Sequence, residues 1–245
     1  MESKSKASLL KEKNIRKLSA LIIGGSGASG RELIGNILQN INYESITVLS
    51  RRKISRWENL NEDKLKKFIY ISIENLDDLL DFEKNPEGYK KILPEKNYDT
   101  LFCCLGSRSG RSDFIKVDYD YFISCAKIAE ILNIQHLVII SSKGADSSSY
   151  FKYFRIKGQA DNEIMKVKIP CISILRPGAI MDRDNDYRFG EKLLKYTPFL
   201  SKITSIDLGT AIMNIDLDIH FNLNSNNQVK IFDHNEIVGF INKMI

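Results

Sequence analysis

Along the first three quarters of the chain, apolar residues fall in short, nearly continuous runs, separated by stretches in which they recur every three or four positions. Runs such as ALIIG, SITVLS, DTLFCCL and HLVIIS predict strands buried on both faces, and the stretches between them predict amphipathic helices. Strands are expected at about 19–24, 45–50, 68–73, 99–105, 136–141 and 171–176, with helices at about 28–39, 76–82, 114–133 and 149–167. Strict alternation of this kind gives an α/β fold: a doubly wound, mostly parallel sheet in three αβα layers. Residues 51–66 read as an exposed connection with Trp57 as a packing anchor, and QVKIFDHNEIVGFINKM near the end reads as a strand and helix returning to the sheet. Residues 1–18 read as a polar tail or short helix and 19–245 as a single domain, whose segment from about 185 folds over the carboxyl edge of the sheet.

Composition narrows the classes without selecting one. With 245 residues, 43% hydrophobic, the chain is long enough for a sizeable core. The net charge of +5 is spread among acidic residues, which argues against nucleic acid as a partner. No apolar run approaches the ~18–20 residues of a membrane span, and Glu2 and Glu12 speak against a transit peptide. Cys103, Cys104, Cys125 and Cys171 form neither a C-x-x-C pair nor a disulfide framework, so free thiols in a reducing compartment are expected. His136, His220 and His234 share no metal-ligand spacing with each other or with the cysteines. Asp182, Asp184 and Asp186 lack the glycine and terminal glutamate of a calcium loop, and no metal is expected.

Chemistry enters with GGSGASGRELIGNIL, directly after the first strand. Gly24, Gly27 and Gly30 are spaced G-x-x-G-x-x-G, while Gly25, Gly27 and Gly30 satisfy G-x-G-x-x-G. At a first strand-to-helix turn these glycines permit a tight bend, close approach of backbone to a pyrophosphate, and packing of the helix on the strand, which makes the fold Rossmann-type. Leu33, Ile34, Ile37 and Leu38 put one face of the following helix on the sheet and aim its N-terminus at the phosphates. The second strand ends in Arg51 and Arg52, where an acidic residue would hold the ribose 2′-hydroxyl of NAD. Two guanidinium groups suit a 2′-phosphate instead, and NADP(H) is the expected cofactor. Leu105 and Gly106, at the end of the fourth strand, are placed to line the nicotinamide ribose. Arg108 and Arg111 follow in a Ser/Gly loop.

In SSKGADSSSYFKYFRIKGQ, Tyr153 and Lys157 have the i, i+4 spacing that puts a phenol and an ammonium on one helix face. With ten tyrosines and many lysines in the chain, that spacing arises about once by chance. Its setting gives it weight: Ser141 and Ser142 end the fifth strand just before it.

That order resembles the short-chain dehydrogenase/reductase superfamily. GGSGASGRELIGNIL, LSRRK, FCCLGSRSG, FIKVDYDY, SSKGADSSSYFKYFRIKG and RPGAIMDRDNDYRFGE are similar to the Tat-interactive protein 2 family of atypical members, over roughly residues 7–195. The resemblance implies NADPH held by Ser26, Gly27, Ala28 and Ser29, with Arg51 and Arg52 on the 2′-phosphate, and contacts from Leu105, Gly106, Tyr153, Lys157, Ile180 and Arg188. It implies Tyr153 as proton donor to a carbonyl oxygen, Lys157 on the ribose hydroxyls, and Ser142, or Ser141 one register away, orienting the substrate. Tyr150 is expected to be a wall or packing residue. Asp118 stands where many extended members carry Asn, and Ser72 ends the third strand where relatives place Asp. Two functions follow from the resemblance: a carbonyl reductase acting on a small molecule, or an NADPH-sensing adaptor that binds a transport receptor or translation factor. The implied location is cytoplasmic or nuclear, with peripheral attachment to the mitochondrial outer membrane in fungal relatives.

Overall fold

The computed structural model describes residues 16–94, 97–107, 113–182, 201–222 and 228–243. Seven parallel strands form the central sheet in the order β3-β2-β1-β4-β5-β6-β9. They are β1 (Leu18–Ile23), β2 (Tyr43–Ser50), β3 (Phe68–Ser72), β4 (Thr100–Cys103), β5 (His136–Ile140), β6 (Cys171–Leu175) and β9 (Gln228–Phe232). A separate parallel pair joins β7 (Ala179–Met181) to β8 (Lys202–Thr204). The order reverses between β1 and β4, and such a switch leaves a crevice beyond the strand carboxyl ends.

Every residue of β1, β4, β5 and β6 is buried. This is why these strands read as continuous apolar runs, and why alternate side chains feed two cores. Leu21, Ile23, Leu101, Cys103, Leu137 and Ile139 face a core closed by α5 (Tyr121–Ile131) and α6 (Lys152–Ile164). Ala20, Ile22, Val48, Phe102, Val138 and Leu175 face the other, closed by α1 (Ala28–Ile37) and α7 (Ser205–Asn222).

Short helices α2 (Glu62–Lys67), α3 (Asp78–Lys84) and α4 (Pro86–Lys90) fill the remaining connections. Trp57, 1% exposed, packs against Phe68 and Tyr70 as an anchor of the 51–66 segment. The returning C-terminal pair is also present: β9 pairs with β6, and α8 (His234–Gly239) starts from a capping box of Asp233 and Glu236. The expected segment from about 185 to 200 lies outside the described residues, as does most of the leading tail.

Candidate active site

The glycine turn joins β1 to α1. Gly24 has φ +85°, in the left-handed region, and a Cβ there would lie 2.7 Å from the carbonyl carbon of Cys104. At Gly30 a Cβ would lie 2.5 Å from the Gly24 oxygen. The turn is therefore a cradle that only backbone fills, with Gly24 pressed against the backbone after β4 and α1 pressed against the turn. Gly27 offers no side-chain cap to α1 and its first turn holds no acidic residue, so among the described residues no side chain caps its leading N–H groups. These features fit a bound pyrophosphate. Ser26 and Ala28 are partly exposed, Gly27 is exposed and Ser29 is buried.

The other candidates gather at the same edge of the sheet. Arg51 and Arg52 follow β2 and are exposed; Leu105 and Gly106 follow β4; Ile180 lies in β7. Arg188, with Arg108 and Arg111, lies outside the described residues. Ser141 and Ser142 follow β5, Ser141 buried and Ser142 partly exposed. Tyr153 sits in the first turn of α6, its ring stacked on Phe114 at 5.4 Å and edge-on to Phe154 at 5.3 Å, which fixes the phenol between two aromatic walls. Tyr150 departs from expectation, being 99% exposed. Helix α6 begins only at Lys152, so Tyr150 and Phe154 never share a helical face, and Phe151 meets Phe154 instead at 6.3 Å.

Lys157, 2% exposed, brings the largest departure from the simple dyad. Its ammonium pairs with Asp118 Oδ1 at 2.7 Å and lies 4.0 Å from the centroid of the Phe122 ring. Asp118 Oδ2 accepts from the Ser107 amide at 2.9 Å and from its hydroxyl at 2.5 Å. Asp118 is carried on a π-turn, Lys116–Asp120, that leads into α5. Arg176, from the RPG sequence after β6, holds α6 from the other side: its Nε and Nη2 donate to Asp161 Oδ2 at 2.9 and 2.8 Å. Burial raises the Asp161 carboxyl above its ordinary value despite that arginine. Asp161 is one turn beyond Lys157, a spacing the sequence displays. Its partner, fifteen residues on, becomes visible only once β6 is laid beside β5.

A second polar cluster lies at the opposite, amino edge of the sheet. Asp216 of α7 receives Tyr43 OH at 2.5 Å and Thr100 Oγ1 at 2.7 Å, with His136 Nδ1 at 2.6 Å and His220 Nε2 at 3.4 Å. The structure thus brings together His136 and His220, which share no metal-ligand spacing in the sequence. Their ligand atoms and that of Asp216 lie within 4.8 Å of one another. The 2.6 Å separation is that of a hydrogen bond, because two ligands on one ion with bonds near 2.0–2.1 Å sit about 3.3 Å apart. Burial pushes the His136 pKa down by more than Asp216 lifts it, whereas His220, also opposed by burial, is held up by Asp216. The nearer, more deeply buried ring is thus the harder to protonate and the farther, less buried ring the easier. Asp216 itself is driven upward by burial and, more strongly, held well below the carboxylate range by the two histidines.

A cavity of about 220 Å³ opens beside α1 between Arg31, Glu32, Trp57 and Lys64; neither the glycine turn nor Tyr153 or Lys157 lines it. Among the described residues, no helix is long and apolar enough to cross a membrane.

A seven-stranded parallel sheet with a glycine turn between β1 and α1 is the fold of short-chain dehydrogenase/reductase proteins. Solved structures share the fold. A short-chain type dehydrogenase/reductase from Mycobacterium ulcerans matches with TM-score 0.64 and 15% identity over 91% of this chain and 90% of that one. ElxO with NADP bound matches at 0.60 and 15% over 90% and 99%, and MoeE5 in complex with UDP-glucose and NAD at 0.61 and 14% over 91% and 80%. Protein HTATIP2 of Rattus norvegicus is 30% identical over 184 residues, 72% of this chain and 69% of that protein. The mitochondrial protein FMP52 of Debaryomyces hansenii is 29% identical over 170 residues, 68% of each. No known family profile matches the chain. The chain belongs to the atypical short-chain dehydrogenase/reductase family that contains HTATIP2 and FMP52.

Proposed function

We propose that the protein is an NADP(H)-dependent oxidoreductase that reduces a small carbonyl compound. The observation that carries this reading is the convergence of the glycine cradle, Ser142, Tyr153 and Lys157 at one sheet edge. Gly24, Ser26, Gly27, Ala28, Ser29 and Gly30 would hold the pyrophosphate, Arg51 and Arg52 the 2′-phosphate, and Leu105, Gly106, Ile180 and Arg188 the nicotinamide end. The nicotinamide supplies hydride when bound. Ser142 donates a hydrogen bond to the substrate carbonyl, and the Tyr153 hydroxyl gives its proton to the carbonyl oxygen as negative charge develops there. Lys157 holds the ribose hydroxyls.

Turnover of NADPH with a panel of aldehydes, ketones and quinones tests the reading. Tyr153→Phe is expected to lower turnover by about two orders of magnitude or more while leaving nucleotide affinity within a few-fold. Equal turnover by the two proteins would exclude the phenol as proton donor.

One observation favours a second reading, a nucleotide-sensing regulator with little turnover. In this structure the Lys157 ammonium is engaged by Asp118. Tight NADPH binding with no oxidation across the whole panel is the outcome that reading expects. The mitochondrial label of the FMP52 relatives supports an association with mitochondria in either case, testable by subcellular fractionation.

A further inference from the structure

Asp118 is the most constrained side chain of the site, yet the proton transfer described above gives it no part. It is 1% exposed and sits on a π-turn, a local widening of a helix that recurs at functional positions. One of its oxygens holds Lys157 at 2.7 Å and the other holds both donors of Ser107. It therefore bridges α6, which carries Tyr153 and Lys157, to the loop after β4, which carries Leu105 and Gly106.

We propose that Asp118 is a positioning residue that keeps Lys157 as a neutral ion pair, and that this pair sets the balance between the oxidised and reduced forms of the bound dinucleotide. The inference rests on the nicotinamide reading above, which assigns Lys157 to that end of the crevice. Charge counting gives the effect. An oxidised nicotinamide ring carries one positive charge and a reduced ring carries none. With Asp118 ionised, the pair presents no net charge to either form. Asp118→Asn keeps the shape and an acceptor for Ser107 but leaves the ammonium uncompensated, and only the oxidised ring is repelled. Lys157→Met leaves the carboxylate uncompensated and favours the oxidised ring. Between buried charges, where salt screens weakly, one unit of charge within roughly 10 Å changes a binding constant by on the order of tenfold.

The test is equilibrium binding of NADP+ and of NADPH at pH 6.5, by titration calorimetry, to the native protein, Asp118→Asn, Lys157→Met and the double variant. The ratio of dissociation constants, oxidised over reduced, is expected to rise about tenfold in Asp118→Asn and to fall in Lys157→Met. In the double variant it should return to within about threefold of native. A structural role alone would weaken both nucleotides equally, and an unchanged ratio in Asp118→Asn overturns the inference while leaving the nicotinamide reading intact. Native protein that binds neither nucleotide overturns that reading, and the inference with it.

Discussion

Removing Asp216 is expected to destabilise the protein severely and in a pH-dependent way. The carboxylate is fully buried and accepts from Tyr43 and Thr100 while holding His136 and His220. Asp216→Ala leaves the Tyr43 hydroxyl without its described partner. His136 keeps its hydrogen bond to Ser173, at 2.8 Å, and His220 loses the nearer of the carboxylates that favour its charged form, with Asp99 remaining. A buried polar group left unsatisfied costs about 1–3 kcal/mol, and breaking a buried ion pair from one side costs about 3–5 kcal/mol. Because these effects overlap, about 4 kcal/mol is the expected total, a large part of the ~5–15 kcal/mol of a typical domain. At ~2–4 °C per kcal/mol for a chain of this size, the midpoint should fall by roughly 10 °C.

The sign of the pH dependence follows from the two partners. Asp216 is depressed, so its contribution is present above the unfolded carboxylate value near ~3.9 and is lost as pH falls through its folded value. His220 is raised, so its contribution is present below ~6.5 and is lost as pH rises through its folded value. The gap between native and Asp216→Ala should be widest between about pH 4.5 and 6.5 and should narrow toward pH 9. Thermal unfolding followed by circular dichroism across that range reads it directly. A midpoint within about 2 °C of native at pH 6 would refute the reasoning, and a gap that is constant from pH 5 to 9 would refute the charge assignment.

Two further outcomes concern the crevice. Arg51→Ala with Arg52→Ala should weaken NADPH by at least about tenfold and leave NADH within about threefold, since only the former carries a phosphate for those guanidinium groups; equal losses for both nucleotides would remove the arginines from the 2′-phosphate. Gly30→Ala puts a methyl group 2.5 Å from the Gly24 oxygen, so α1 must shift and nucleotide affinity should drop by two orders of magnitude or more, as read by fluorescence titration. Native affinity in that variant would show that the cradle tolerates a side chain.

The sheet was legible because its central strands are buried on both faces, and runs such as Ala20–Ile23 show this as unbroken hydrophobicity. Helix α7 was not, because Asn214 and Asp216 interrupt its apolar positions and both are buried. Asp216 is there for partners 80 and 173 residues away in sequence, His136 and Tyr43, and Asn214 for the Phe240 carbonyl, to which its Nδ2 donates at 2.8 Å. The positions of Gly24, Arg51, Tyr153 and Lys157 relative to strand ends could be read from local order. The Asp118–Lys157 pair could not, since it joins two helices through a turn whose π geometry no local pattern announces. Tyr150 escapes its expected packing role for a local reason: α6 starts at Lys152 rather than near 149, which leaves Tyr150 outside the helix.

The late position of α7 also bears on how the chain is made. Ile22, Val48 and Val138 are complete before residue 140, yet Leu208, Ala211, Ile212 and Ile215, which cover that face, emerge only some seventy residues later. A nascent chain therefore presents a half-covered parallel sheet for several seconds at ordinary synthesis rates of ~5–20 residues per second. Apolar surface exposed for that long during synthesis is a site for aggregation until α7 arrives to cover it.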